Sequence, residues 1–141
     1  MKIAVMYDDS EGAESALRAA LDVAVASNGT LLLVRAFRPR SDAGGVFADS
    51  PAEAGSVVVE GWQAQLDGRA AECAVPTEAR VVAVERGEDT GPALVRAARE
   101  WEADILAIAS RRATGLSGAL LGSVAASVIN SSYCPTLLVR L

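Results

Sequence analysis

The chain has 141 residues and a formal net charge of −5, and 51% of its residues are hydrophobic but only 4% aromatic, so its core must be built from Ala, Val, Leu and Ile. That length suffices to bury a core without disulfides or metals, and one domain over residues 1–141 is expected. The acidic balance excludes a basic nucleic-acid-binding surface, and the absence of histidine excludes imidazole catalysis and imidazole metal ligation.

Lys2 to Tyr7 reads as a first strand, followed by a turn at Asp8-Asp9-Ser10. Ser10 is placed to cap a helix whose apolar positions are Ala13, Ala16, Leu17, Ala20, Leu21 and Ala24, and Asn28-Gly29 supplies a left-handed stop. Thr30 to Ala36 is a near-continuous apolar run, expected to be a strand buried on both faces. Residues 39–49, rich in Gly, Ser, Asp and Arg, read as an exposed loop. Ser50-Pro51-Ala52-Glu53 is a capping box, opening a helix with an apolar stripe at Val58, Trp62, Leu66, Ala70 and Cys73.

Arg80 to Glu85 is expected to be the third strand. Gly91-Pro92 opens the next helix, with Ala93, Leu94, Ala97, Ala98 and Trp101 facing inward. Asp104 to Ala109 is a fourth strand, and the last helix runs from Gly122 to Ser131 with Val124, Val128 and Ile129 on one side. Pro135 to Leu141 is a fifth strand. This strict alternation predicts an α/β fold, a doubly wound five-stranded parallel sheet with helices on both faces. Cys73 and Cys134 lack a paired spacing and read as core thiols. No apolar run reaches the roughly 20 residues that span a bilayer, nor does the start look like a signal peptide, so a soluble cytoplasmic protein is expected.

In such a sheet a ligand lies beyond the carboxyl ends of the strands. The groups expected there are Asp8, Asp9 and Ser10, then Ala36 to Arg38, then Ser110 to Arg112, and finally Gly122, Ser123 and Val124. Amides at Ser123 and Val124 suit an anion, and Asp8 suits a base amine or a ribose hydroxyl. Each of these turns also serves as an ordinary strand-to-helix entry. No activated nucleophile, carboxylate pair or metal cluster is evident, so no enzymatic activity, no catalytic residue and no metal are expected. The apolar edge formed by Thr136, Leu137, Leu138 and Val139 is a pairing hazard unless covered. Antiparallel pairing with a twin chain would cover it, which predicts a homodimer. Protein partners would then be its other contacts.

The opening Val5-Met6-Tyr7-Asp8-Asp9-Ser10-Glu11 and the ending Leu121-Gly122-Ser123-Val124 with Cys134-Pro135-Thr136-Leu137-Leu138-Val139-Arg140 resemble the universal stress protein family, over essentially the whole chain. The resemblance implies a fold of the adenine-nucleotide alpha-hydrolase type, a homodimer through the last strands, and adenine-nucleotide binding in a subset of members. That subset carries Gly-x2-Gly-x9-Gly-Ser/Thr. The corresponding positions here are Ala109, Arg112, Gly122 and Ser123, so two glycines are replaced. Ala109 adds one methyl, whereas Arg112 puts a Cβ into a turn that favours positive φ. Tyr7 is bulky beside an adenine, while Gly115 and Gly118 loosen the loop.

The resemblance with these departures implies a small dimeric regulatory or interaction protein with a degenerate motif that does not hold ATP tightly. The alternative is a working site for ATP or another adenine nucleotide with Mg, formed by Asp8, Ala36, Ala109, Arg112, Gly122, Ser123 and Val124. A phosphoacceptor receiver domain, suggested by Asp8-Asp9, needs an Asp ending the third strand and a Lys ending the fifth. The chain has Glu85-Arg86-Gly87 and Arg140-Leu141 there.

Overall fold

The computed structural model describes residues 1–44, 50–110 and 121–141. In chain order the elements are β1 (Lys2–Met6), α1 (Glu11–Ser27), β2 (Thr30–Phe37), α2 (Pro39–Asp42), α3 (Pro51–Ala71), β3 (Thr77–Ala83), α4 (Thr90–Glu100), β4 (Ile105–Ser110), α5 (Ser123–Ser131) and β5 (Thr136–Arg140). The strands form one sheet in the order β3-β2-β1-β4-β5, and every pairing is parallel. This is the doubly wound α/β arrangement that the alternation of apolar runs predicts. Strand order reverses at β1, so a crevice opens between the ends of β1 and β4.

Each face of the sheet carries its own core. On one face Met6, Leu32, Val34, Leu106 and Ile108 meet Leu94, Ala97, Ala98 and Trp101 around α4, with Ala125 and Val128 of α5. On the other, Ile3, Val5, Leu31, Leu33 and Ala107 meet Ala13, Ala16, Leu17 and Ala20 of α1, with Leu66 and Ala70 of α3. Small alanines let the helices sit close to the sheet, and the leucines supply most of the burial. Each fully buried leucine is worth about 1.5–3 kcal/mol over an exposed one, and Leu17, Leu31, Leu32, Leu33 and Leu106 are all fully buried.

Local signals act as the sequence requires. Ser10 Oγ accepts the Ala13 amide at 3.1 Å, and Ser50 Oγ accepts the Glu53 amide at 3.1 Å, so both predicted N-caps form. Asn28 takes the left-handed conformation (φ 52°) that ends α1. Gly29 is required for a different reason: a Cβ there would lie 2.4 Å from the Met1 carbonyl oxygen.

Several boundaries differ from expectation. The stretch read as a loop from residue 39 begins with the short helix α2, closed by Arg38, whose amide donates to Asp42 Oδ2 at 2.7 Å; residues 45–49 of that stretch lie outside the described residues. The third strand lies at Thr77–Ala83 and not at 80–85, because the β2 ladder pairs Leu31 with Thr77 through to Phe37 with Ala83. An edge strand tolerates polar Thr77 and Glu78, which hid its start. In α4, Thr90 is the first helical residue, ahead of Gly91. In α5 the core face is Ala125 and Val128, while Val124 is 41% exposed. Cys73 and Cys134 are half-buried thiols at the margins of the two cores, not within them. Among the described residues no helix is long and apolar enough to cross a membrane.

Candidate functional site

A cleft of about 570 Å³ opens over the carboxyl ends of β1, β2 and β4. Its size falls within the range of small-molecule sites, about 300–1,000 Å³. The cleft straddles the top of the sheet. Toward α4 and α5 it is lined by Met6, Val34, Ala36, Leu94, Ile108 and Ala125, an apolar half continuous with that core. Toward α1 and α3 it is lined by Tyr7, Asp8, Ser10, Arg35 and Trp62, a polar half.

Of the helices that begin at the cleft rim, α1 and α5 have opposite fates. The start of α1 is closed by its own Ser10 side chain. The start of α5 has Gly122 as N-cap, which offers no side chain to accept from the first-turn amides. The N–H groups of Ser123, Val124 and Ala125 have no intrahelical acceptor and carry the positive end of the helix dipole. All three residues line the cleft. Asp8 lines it too, with Oδ1 accepting the Ser10 amide at 3.1 Å across the turn. The turn is completed by Asp9 at φ 66°, a left-handed conformation that Asp adopts more readily than most residues.

The position of α5 is fixed from below. Ser110 is 5% exposed; its Oγ accepts the Gly122 amide at 3.0 Å and its carbonyl accepts the Leu141 amide at 3.1 Å. One residue thus ties the end of β4 to the start of α5 and the end of β5. From the side, Gly91 of α4 lets α5 approach: a Cβ on it would lie 2.3 Å from Ser127 Oγ and 2.6 Å from Ser127 Cβ. At the floor, a Cβ on Gly12 would lie 3.3 Å from Ala109 Cβ. The Ala109 methyl therefore sits against the bare backbone of α1, and the missing side chain of Gly12 makes room for it.

The polar half is held by ion pairs. Arg69 of α3 donates to both oxygens of Glu14 on α1, each at 2.9 Å, and the Tyr7 hydroxyl also donates to Glu14. Arg69 holds the Glu14 carboxyl below the usual carboxylate range. Burial, reinforced by Glu14, pushes the Tyr7 phenol well above its ordinary value, so Tyr7 stays a neutral donor. Arg38 is clamped on Asp42, with Nη2 to Oδ1 at 3.1 Å. Arg35 is held differently. Its guanidinium carbon lies 3.7 Å from the Trp62 ring centroid, and Trp62 meets Phe37 edge-on at 5.8 Å.

Of the residues named from sequence, Asp8, Ala36, Ala109, Gly122, Ser123 and Val124 all line this one cleft. Ala36 does so from within β2, not from a loop after it. Arg112, with Arg111, Gly115 and Gly118, lies outside the described residues. Thr136, Leu137, Leu138 and Val139 lie in β5, which among the described residues is an edge strand paired with β4. Sequence reasoning missed Arg35, Trp62 and the Glu14–Arg69 clamp. The signal for Arg35 was available: it is the one charge interrupting Leu31-Leu32-Leu33-Val34 and Ala36-Phe37. Among the described residues no group of His, Cys, Asp and Glu is arranged to hold a metal.

The model of the universal stress protein family matches residues 1–140. The chain belongs to the universal stress protein family. Among solved structures, it is similar to a universal stress protein in complex with cAMP, at 29% identity and TM-score 0.68, covering 99% of this chain and 96% of that one. It is also similar to a universal stress protein family member from Burkholderia pseudomallei, at 29% identity and TM-score 0.69, covering 98% of this chain and 94% of that one. A family protein from Arabidopsis thaliana with AMP bound shares the fold at 16% identity and TM-score 0.61, covering 99% of this chain and 91% of that one.

Proposed function

We propose that this chain is a regulatory universal stress protein that binds an adenine nucleotide in the cleft, one phosphate resting on the start of α5. The observation that carries this reading is the uncapped helix start at Gly122, with Ser123, Val124 and Ala125 opening onto a ligand-sized cleft. In this reading the base occupies the apolar half beside Ala36, and Asp8 accepts from the ribose. Ala109 does not obstruct the site, because its methyl is absorbed against Gly12. The cAMP complex of a 29% identical family member supports the same ligand class. A mononucleotide fits better than tightly held ATP, since the start of α5 offers amides to one phosphate and not to a chain of three. Arg112 at a motif glycine position favours the same preference.

The role is binding, not catalysis. The chain has no histidine to act as an imidazole base. We further propose that one domain spans residues 1–141 and that β5 pairs antiparallel with its twin in a homodimer. Light scattering at micromolar protein should then give a dimer, and a monomer alone would sink that part.

The nucleotide reading is tested by thermal shift with AMP, ADP and ATP, with and without Mg. A ligand at 100 times its Kd stabilises the native state by about 2.7 kcal/mol. Unfolding entropy of about 0.3 kcal/mol/K for a chain this size turns that into a rise of about 9 °C. A flat response to all three at millimolar concentration would sink the reading and return function to a nucleotide-independent dimer.

A further inference from the structure

Side chains alternate along β2, so Val34 and Ala36 face α4 while Arg35 faces the opposite side, toward α3. A base seated by Ala36 in the apolar half therefore leaves Arg35 unused. Arg35 is half-buried and lines the cleft, yet among the described residues it makes no hydrogen bond or ion pair. Among the described residues the other half-buried arginines are paired: Arg69 with Glu14, Arg80 with Glu100, and Arg96 with Glu88. A guanidinium offers five N–H donors and accepts nothing, so this half-buried one, with no protein acceptor among the described residues, has donors open to water or to an anion entering the cleft.

Stacking on Trp62, itself braced by Phe37, holds this cation in place before any ligand arrives. Less side-chain entropy is then lost on binding. Spacing narrows the ligand. Arg35 is on β2 and the α5 start lies by β4, with β1 between them. Two strand spacings amount to roughly 10 Å. A phosphate at α5, a ribose over β1 beside Asp8 and a second phosphate at Arg35 span that gap. The single phosphate of a nucleoside 5′-monophosphate reaches only one end of it.

We propose that the cleft selects adenosine nucleotides carrying a second phosphate on the ribose, and that Arg35 is the residue that binds it. This rests on the nucleotide reading above. The same chemical unit occurs free, as adenosine 3′,5′-bisphosphate or its 2′,5′ isomer, and within coenzyme A.

Isothermal titration of the wild-type chain, Arg35→Gln and Arg35→Lys with AMP, each bisphosphate and coenzyme A, at one ionic strength, tests this. The wild type should bind one bisphosphate at least about tenfold tighter than AMP, as expected for a charge-assisted hydrogen bond. Arg35→Gln should erase that ratio while leaving AMP within about twofold, and Arg35→Lys should keep part of it. Coenzyme A matching the free bisphosphate would mean that the unit is read in either carrier, and a weaker response would assign the site to the free nucleotide. Equal wild-type affinity for AMP and both bisphosphates would overturn the proposal alone, as would a preference that survives in Arg35→Gln. Failure of every nucleotide to bind would overturn the nucleotide reading with it.

Discussion

Substituting Gly91→Ala tests whether the contact between α4 and α5 sets the site. The new methyl would fall 2.3 Å from Ser127 Oγ, 2.6 Å from Ser127 Cβ and 2.9 Å from the Ser127 carbonyl carbon. The last two atoms cannot be removed by a rotamer change, so α5 must shift outward. Overpacking of this kind costs about 1–3 kcal/mol, and backbone involvement puts this case at the upper end. Alanine recovers up to about 1 kcal/mol of helix propensity, less so at the second position of α4. The net expectation is a loss of about 1.5–2.5 kcal/mol, or a fall in Tm of about 5–8 °C. Because α5 carries the amides proposed to hold the phosphate, nucleotide affinity should fall as well.

The double substitution Gly91→Ala with Ser127→Gly removes the hydroxyl and the Cβ from the clash. It should recover stability beyond the sum of the single changes, a non-additivity expected of residues in contact. Differential scanning calorimetry on the four proteins of the cycle reads this directly. A Gly91→Ala chain as stable as the parent would refute the packing argument.

Removing the Ser110 hydroxyl, as Ser110→Ala, leaves the Gly122 amide without its acceptor. The cost should be about 1–3 kcal/mol, with weaker nucleotide binding, and an unchanged Tm would contradict the role given to Ser110. Acid stability follows from Glu14 and Glu88, whose carboxyls Arg69 and Arg96 hold below the ordinary range. The unfolded chain then binds protons more readily than the folded one, so this stabilisation is complete above the unfolded value of about 4.3 and is lost as pH falls through the folded values. Glu14→Gln should lower Tm at pH 7 and flatten its fall below pH 5, and parallel pH profiles would count against the clamp. Trp62→Leu removes the stack under Arg35 and should reduce the preference for a ribose-phosphorylated nucleotide without changing the oligomeric state; an undiminished preference by titration would show that the stack does not position Arg35.

Much of the fold was legible because apolar runs and small polar turns alternate without interruption. Ser10, Asn28 and Ser50 marked helix ends through backbone chemistry that acts within a few residues. The start of β3 was not legible, since an edge strand carries polar Thr77 and Glu78 and draws its register from β2, distant in sequence. The α2 turn was hidden for a related reason: its closure depends on Arg38 reaching Asp42, a contact that composition does not reveal. In the site, Asp8 and Gly122-Ser123 could be read because turns and helix starts have local signatures. Arg35 and Trp62 meet only through packing of α3 on β2, and Trp62 read simply as part of a core stripe. The fate of Ala109 likewise depended on Gly12, nearly a hundred positions away, and that partnership exists only in three dimensions.

The central claim is that an adenine nucleotide sits on the start of α5. Amide chemical shifts followed by NMR during an AMP titration test it most directly. Saturable shifts at Ser123, Val124 and Ala125, with Ala36 and Asp8 following on the same binding curve, are the predicted result. Amides of α5 that stay unmoved at millimolar AMP, or shifts confined to residues outside the cleft, would contradict it.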